Sequence, residues 1–115
     1  MPELTIDIQN LPDEKTMIKL RGFLDAHTFE QLDSAIQELF SQGKYRLVVD
    51  LKDVEYISSA GAGVFIGSLA IAQENGGNII ITQPTPNVQE VFDLLGLSQI
   101  FTIFETSEEG LAQLA

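Results

Sequence analysis

The chain has 115 residues, a net charge of −11, a single histidine and no cysteine. That length predicts one domain, residues 1–115, and a hydrophobic content of 44% with a mean hydropathy of +0.12 supplies enough apolar material for a core. Six basic residues against seventeen acids leave no Lys/Arg cluster for nucleic acid or an anionic membrane surface, and the missing cysteines exclude disulfides and thiolate metal sites.

From Leu4 to Ile8 apolar and polar residues alternate, the period of a half-exposed strand. A turn follows over Asn10–Glu14, and Thr16–Arg21 alternates again, so the two segments predict an N-terminal hairpin closed by Gly22. Phe29, Leu32, Ile36 and Leu39 recur at helical spacing, with Asp25 as the expected N-cap, a capping box at Thr28-x-x-Gln31, and Gly43 as the stop. His27 falls in the first turn of that helix, facing solvent. Arg46–Leu51 holds a near-continuous apolar run, Leu47, Val48 and Val49, and reads as a central strand covered on both faces.

Past Asp53-Val54-Glu55-Tyr56-Ile57 the chain enters Ser58-Ser59-Ala60-Gly61-Ala62-Gly63, and a helix is expected from about Ser59 to Glu74. Its apolar residues (Val64, Phe65, Ile66, Leu69, Ile71) surround the axis, which predicts burial on nearly every side. Asn75-Gly76-Gly77 ends it, and Asn78–Thr82 reads as a second buried strand. Val88, Val91, Phe92 and Leu95 mark a third helix ended by Gly96, Ile100–Phe104 a last strand, and Glu108–Leu114 a terminal helix. Strands alternating with helices on short connections predict an α/β fold, a mixed sheet of about five strands with parallel pairs and flanking helices.

Little in the chain suggests catalysis. One histidine leaves no ordinary acid–base pair, and neither Gly-Lys-Ser/Thr nor Gly-x-Ser-x-Gly occurs. Asp50, Asp53 and Glu55 raise the question of a magnesium site, but loop carboxylates more often face water or cap backbone groups. No metal, cofactor or enzymatic activity is expected. The N-terminal residues lack a basic segment followed by an apolar one, and the longest apolar stretch, Ala60–Ala72, is too short to span a bilayer. The reading is a soluble cytoplasmic protein that works by binding partners.

The Ser58–Gly63 segment carries the chemistry. It opens a helix, where free backbone N–H groups and a partial positive charge favour a phosphate. Ala60, Gly61, Ala62 and Gly63 leave almost no side chain there, so another backbone can approach the serine hydroxyls closely. A purely structural role is the competing reading, since serine is a preferred N-cap and glycines permit close packing.

Four stretches resemble the bacterial STAS-domain anti-sigma factor antagonists: Gly22-Phe23-Leu24-Asp25-Ala26-His27-Thr28; Val48-Val49-Asp50-Leu51 with Val54 and Tyr56-Ile57; Ser58-Ser59-Ala60-Gly61-Ala62-Gly63; and Phe92-Asp93-Leu94-Leu95-Gly96-Leu97. The likeness covers nearly the whole chain in one order and spacing. It implies a single STAS domain. In that family the loop usually reads Asp-Ser-Ser/Thr-Gly-apolar-Gly, and a partner kinase phosphorylates the serine after the Asp. Alignment on Gly61 and Gly63 puts Ser59 at that position and Ser58 at the Asp, while Ala60 replaces the second hydroxyl residue and Ala62 a larger apolar one.

The resemblance implies a partner switch. The unphosphorylated form binds an anti-sigma factor with serine kinase activity and so frees a sigma factor; phosphorylation of Ser59 (Ser58 being the second choice) ends binding, and a metal-dependent serine phosphatase restores it. Asp25 and Ser58–Gly63 are the implied partner surface. Two other roles remain open on the altered loop: a non-switching STAS scaffold subunit of a lipid-transport or stress-signalling complex, and a small-ligand or nucleotide-binding STAS module.

Overall fold

A computed structural model describes residues 3–114. The chain runs β1 (Leu4–Leu11), β2 (Lys15–Leu24), α1 (Phe29–Ser41), β3 (Arg46–Ile57), α2 (Ser59–Glu74), β4 (Asn78–Thr82), α3 (Pro86–Leu94), a 3-10 turn (Leu97–Gln99), β5 (Ile103–Phe104) and α4 (Ser107–Gln113). The five strands lie in sequence order, with β1 antiparallel to β2 and every later pair parallel. The expected hairpin and mixed α/β sheet are both present, although β2 runs through Gly22 to Leu24 instead of ending at Gly22.

The alternation read from the sequence decides which face each residue takes. Ile18 and Leu20 of β2, Leu47, Val49 and Leu51 of β3, and Ile79 and Ile81 of β4 point one way and meet α1, α2 and α3 in a single core. Leu32, Ile36, Leu39, Phe65, Val88 and Phe92 fill that layer from the helix side. Residues of opposite parity, Met17, Val48 and Ile80, meet Leu111 and Leu114 at the C-terminal end of the chain in a smaller cluster on the other face. Gly110 lets α4 settle there, since a Cβ on it would stand 2.7 Å from the Thr82 Cγ2.

Four local expectations change. β3 does not stop near Leu51 but continues to Ile57, bent by irregular register against β2 between Lys19 and Arg21 and between Gly22 and Phe23. Those irregularities break the strict alternation, which hid the second half of the strand from a period-two reading. The Ile100–Phe104 strand shrinks to Ile103–Phe104, because the chain first makes the 3-10 turn. α2 is not buried all round: Ile66 is 46% exposed, in company with Ala60, Gly63, Gly67 and Ala70.

The fourth concerns the start of α1. The helix begins at Phe29, with Thr28 at the N-cap position and no side-chain cap bond. Asp25 instead builds the turn before it: its carboxylate accepts from the His27 N–H at 2.8 Å and its carbonyl from the Phe29 N–H at 2.9 Å. The Thr28 hydroxyl donates to the Phe23 carbonyl at 2.7 Å and accepts from the Asp25 N–H, so it has no part in a capping box. His27 is exposed, in that turn rather than in the helix.

Candidate functional site

Because β2, β3 and β4 are parallel, the segments that leave them gather at one end of the sheet, the carboxyl end where open α/β sheets commonly bind partners and ligands. That end holds the Asp25 turn, the β3–α2 junction and the start of α3 at Thr85–Pro86. The register pairs Leu24 with Ile57, so Asp25 and Ser58 each follow directly on paired residues. The Ser58 N–H donates to the Leu24 carbonyl at 2.9 Å and locks the two segments together.

No turn separates β3 from α2. Ser58 is the N-cap: its backbone is extended, its hydroxyl accepts from the Gly61 N–H at 3.2 Å, and its carbonyl accepts from the Ala62 N–H at 2.9 Å. Ser58 therefore spends its side chain on the helix end. Ser59, the first helical residue, is exposed, and among the described residues nothing hydrogen-bonds its hydroxyl. The first turn of α2 holds no acidic residue, so no side chain of that turn offsets its N-terminal partial positive charge.

The two loop glycines differ. A Cβ on Gly61 would lie 2.7 Å from both the carbonyl oxygen and the Cγ of Leu24, so only glycine lets the helix approach the β2 end this closely. Gly63 faces outward with nothing within 4 Å of a would-be Cβ. Ala60 is exposed beside Ser59, while Ala62 is buried. Of the expected site residues, Asp25, Ser58, Ser59, Ala60 and Gly63 therefore reach the surface of one end, whereas Gly61 and Ala62 lie beneath it. Leu24 is the residue that sequence reading missed. Strand register would have found it, since it pairs with the residue before Ser58.

Asp50, Asp53 and Glu55 do not converge. Asp50 is buried and accepts from the Lys52 N–H at 2.9 Å, whereas Asp53 and Glu55 are exposed. Among the described residues no three acidic or histidine side chains lie close enough to share a metal ion. An open depression of about 570 Å³ lies along β3, lined by Arg21, Lys52, Asp53, Thr85 and Asn87 without the serine loop. No helix among the described residues is long and apolar enough to cross a membrane.

Comparison with known proteins agrees with the fold. A family model described as STAS domain matches residues 5–110. The anti-sigma-B factor antagonist of Staphylococcus epidermidis is 28% identical over 96 residues, covering 84% of this chain and 89% of that protein. The anti-sigma-B factor antagonist of Bacillus subtilis strain 168 is 28% identical over 108 residues, covering 94% and 97%. Among solved structures, the anti-sigma factor antagonist SpoIIAA in its unphosphorylated form superposes with a TM-score of 0.83 at 25% identity, covering 95% of each chain. The Bacillus SpoIIAA in its phosphorylated form superposes with a TM-score of 0.76 at 24% identity, covering 96% of this chain and 100% of that one.

Proposed function

The chain belongs to the STAS domain family, and from that membership we propose that it is an anti-sigma factor antagonist switched by phosphorylation of Ser59. Unphosphorylated, it binds an anti-sigma factor that is also a serine kinase and so releases a sigma factor. Phosphorylation of Ser59 ends that binding, and a metal-dependent phosphatase restores it. One observation carries the assignment: Ser59 is exposed with its hydroxyl unengaged at the first position of α2, while its neighbour Ser58 is committed as the N-cap. SpoIIAA, a relative by fold, has been solved in both phosphorylated and unphosphorylated forms.

Simple electrostatics makes such a switch adequate. A phosphate adds roughly −1.5 to −2 charges and three acceptor oxygens at one point. Free amides at the helix start offer it a favourable seat, so the fold need not change. Against an acidic group of the partner ~6 Å away, each unit pair costs about 3 kcal/mol at an effective dielectric of ~20. That is around a hundredfold in affinity. The smooth surface at Ala60 and Gly63 suits close backbone contact, which a phosphate would also obstruct sterically.

The test is incubation of wild type, Ser58→Ala and Ser59→Ala with the cognate kinase and ATP, followed by phosphopeptide mapping. Phosphate on wild type and Ser58→Ala but not on Ser59→Ala is the expected result. Modification of Ser58 alone, or of neither serine, refutes the assignment. Equal anti-sigma factor binding by wild type and Ser59→Glu would favour a scaffold instead.

A further inference from the structure

Three large apolar side chains stand out in solvent on the helix side: Leu94 is 78% exposed, Leu95 44% and Ile100 53%. They flank the junction between α3 and the 3-10 turn, and the neighbouring buried Phe92 and Phe101 pack on Phe65 of α2 at centroid distances of 6.1 and 6.3 Å. Hydrogen bonds fix the junction. The Asp93 carboxylate accepts from Gln89 Nε2 at 2.9 Å and from the Ser98 hydroxyl, bracing the helix against the turn that follows. The exposed residues therefore sit on a rigid support rather than on a loose tail.

Topology sets this patch apart from the serine loop. α3 starts at the carboxyl end of the sheet and runs back, so its last residue, Leu94, lies at the opposite end from Ser59. Nine residues of helix span roughly 14 Å. That exceeds the Debye length of about 8 Å at physiological salt, so charge added at Ser59 is largely screened there.

Charge argues for the kind of occupant. No Lys or Arg follows Lys52, whereas eight acids do. α2 and α3 both end at this pole without a basic residue in the last turn, whereas the basic residues of this end, Lys15, Lys44 and Arg46, belong to β2, the α1–β3 connection and β3. Glu74 and Asp93 lie in those last turns, adding full charges to the negative ends of two helix dipoles. A second copy of the chain is disfavoured as the occupant, because pairing two such patches would oppose Glu90 and Asp93 of one copy to those of the other.

We propose that Leu94, Leu95 and Ile100 form a second docking surface, which accepts an apolar protrusion ringed by Lys or Arg on a partner protein and acts independently of the serine loop. Such a partner stays attached whether or not Ser59 carries phosphate. The surface goes beyond the switch reading and stands or falls separately from it.

Titration of the isotope-labelled full chain with a short amphipathic leucine–lysine helical peptide, followed by amide NMR, tests the proposal. Amides of residues 90–101 should shift first and saturate. The double variant Leu94→Ser/Ile100→Ser should bind at least roughly tenfold more weakly, Ser59→Glu should bind as wild type does, and a leucine–glutamate peptide should not bind. Three results overturn the proposal: shifts spread evenly over all acidic helix faces with undiminished binding by the double variant; shifts centred on residues 58–63; or wild-type self-association in sedimentation that the double variant abolishes. Both substituted side chains are exposed, so loss of folding is not expected, and the amide spectrum of the free variant checks it directly.

Discussion

Replacing Gly61 and Gly63 by alanine, one at a time, should move stability in opposite directions. At Gly61 the new methyl would meet the Leu24 carbonyl oxygen and Cγ at 2.7 Å. The side chain can turn aside, but the carbonyl cannot easily follow, because it holds the Ser58 N–H at 2.9 Å. Overpacking of this kind costs about 1–3 kcal/mol, and loss of the Ser58 bond adds about 1 kcal/mol. Alanine's helix propensity returns about 1 kcal/mol, so the net loss is ~1–3 kcal/mol. At Gly63 nothing lies within 4 Å of the new methyl. The propensity gain then stands alone, at roughly 0.5–1 kcal/mol in favour of the folded state. With about 4 °C per kcal/mol for a domain of this size, the two midpoints should differ by roughly 6–16 °C. Urea unfolding with unchanged m-values is the assay, since it separates a stability change from a change in the unfolded state. The reasoning is refuted if Gly61→Ala matches wild type or if Gly63→Ala is less stable. A second readout connects the pair to function: Gly63→Ala should fold more firmly yet bind the anti-sigma factor more weakly, because its methyl lies on the proposed contact surface.

Two further predictions rest on single side chains. Ser68 on α2 is 2% exposed, and its hydroxyl has no hydrogen-bond partner among the described residues. Ser68→Ala should therefore be neutral or more stable by up to ~1 kcal/mol in the same urea assay, and a loss of that size would contradict the assignment. Hydrogen bonds from Ser98 and Gln89 hold the Asp93 carboxyl below the usual aspartate range. A pKa depressed in the folded state stabilises at pH values above the unfolded value, and that stabilisation fades as pH falls through the folded one. Carboxyl NMR titration of Asp93 should show the lowered midpoint, and Ser98→Ala should return it most of the way to the ordinary value.

The architecture was legible in the sequence because its signals are local and repeated. Alternation marked β1 and β2, an apolar run marked the first half of β3, and glycines marked the helix ends. Two kinds of feature escaped. The first depends on strand register: the continuation of β3 to Ile57 is masked by irregular pairing, and with it the contact between Leu24 and the serine loop. The second depends on competition among polar groups. Asp25 and Thr28 have the right identities for caps, yet both are drawn into the turn that closes β2, and no sequence rule ranks those alternatives. For the candidate site, the sequence supplied the segment and its small residues. The family resemblance already preferred Ser59 to Ser58, and the geometry adds the physical difference between them: Ser58 is engaged at the helix end and Ser59 is unengaged beside it.

The order of the strands bears on how the molecule comes into being. Each strand pairs only with the one made before it and the one made after it, so none must be inserted into a sheet already formed. A chain emerging from the ribosome can add one strand and one covering helix at a time, and few residues wait exposed for a distant partner. The two-residue β5 and the seven-residue α4 are the last elements of the domain, and both are short. They should also be the first to open, with the lowest hydrogen-exchange protection among the strands and helices of the domain.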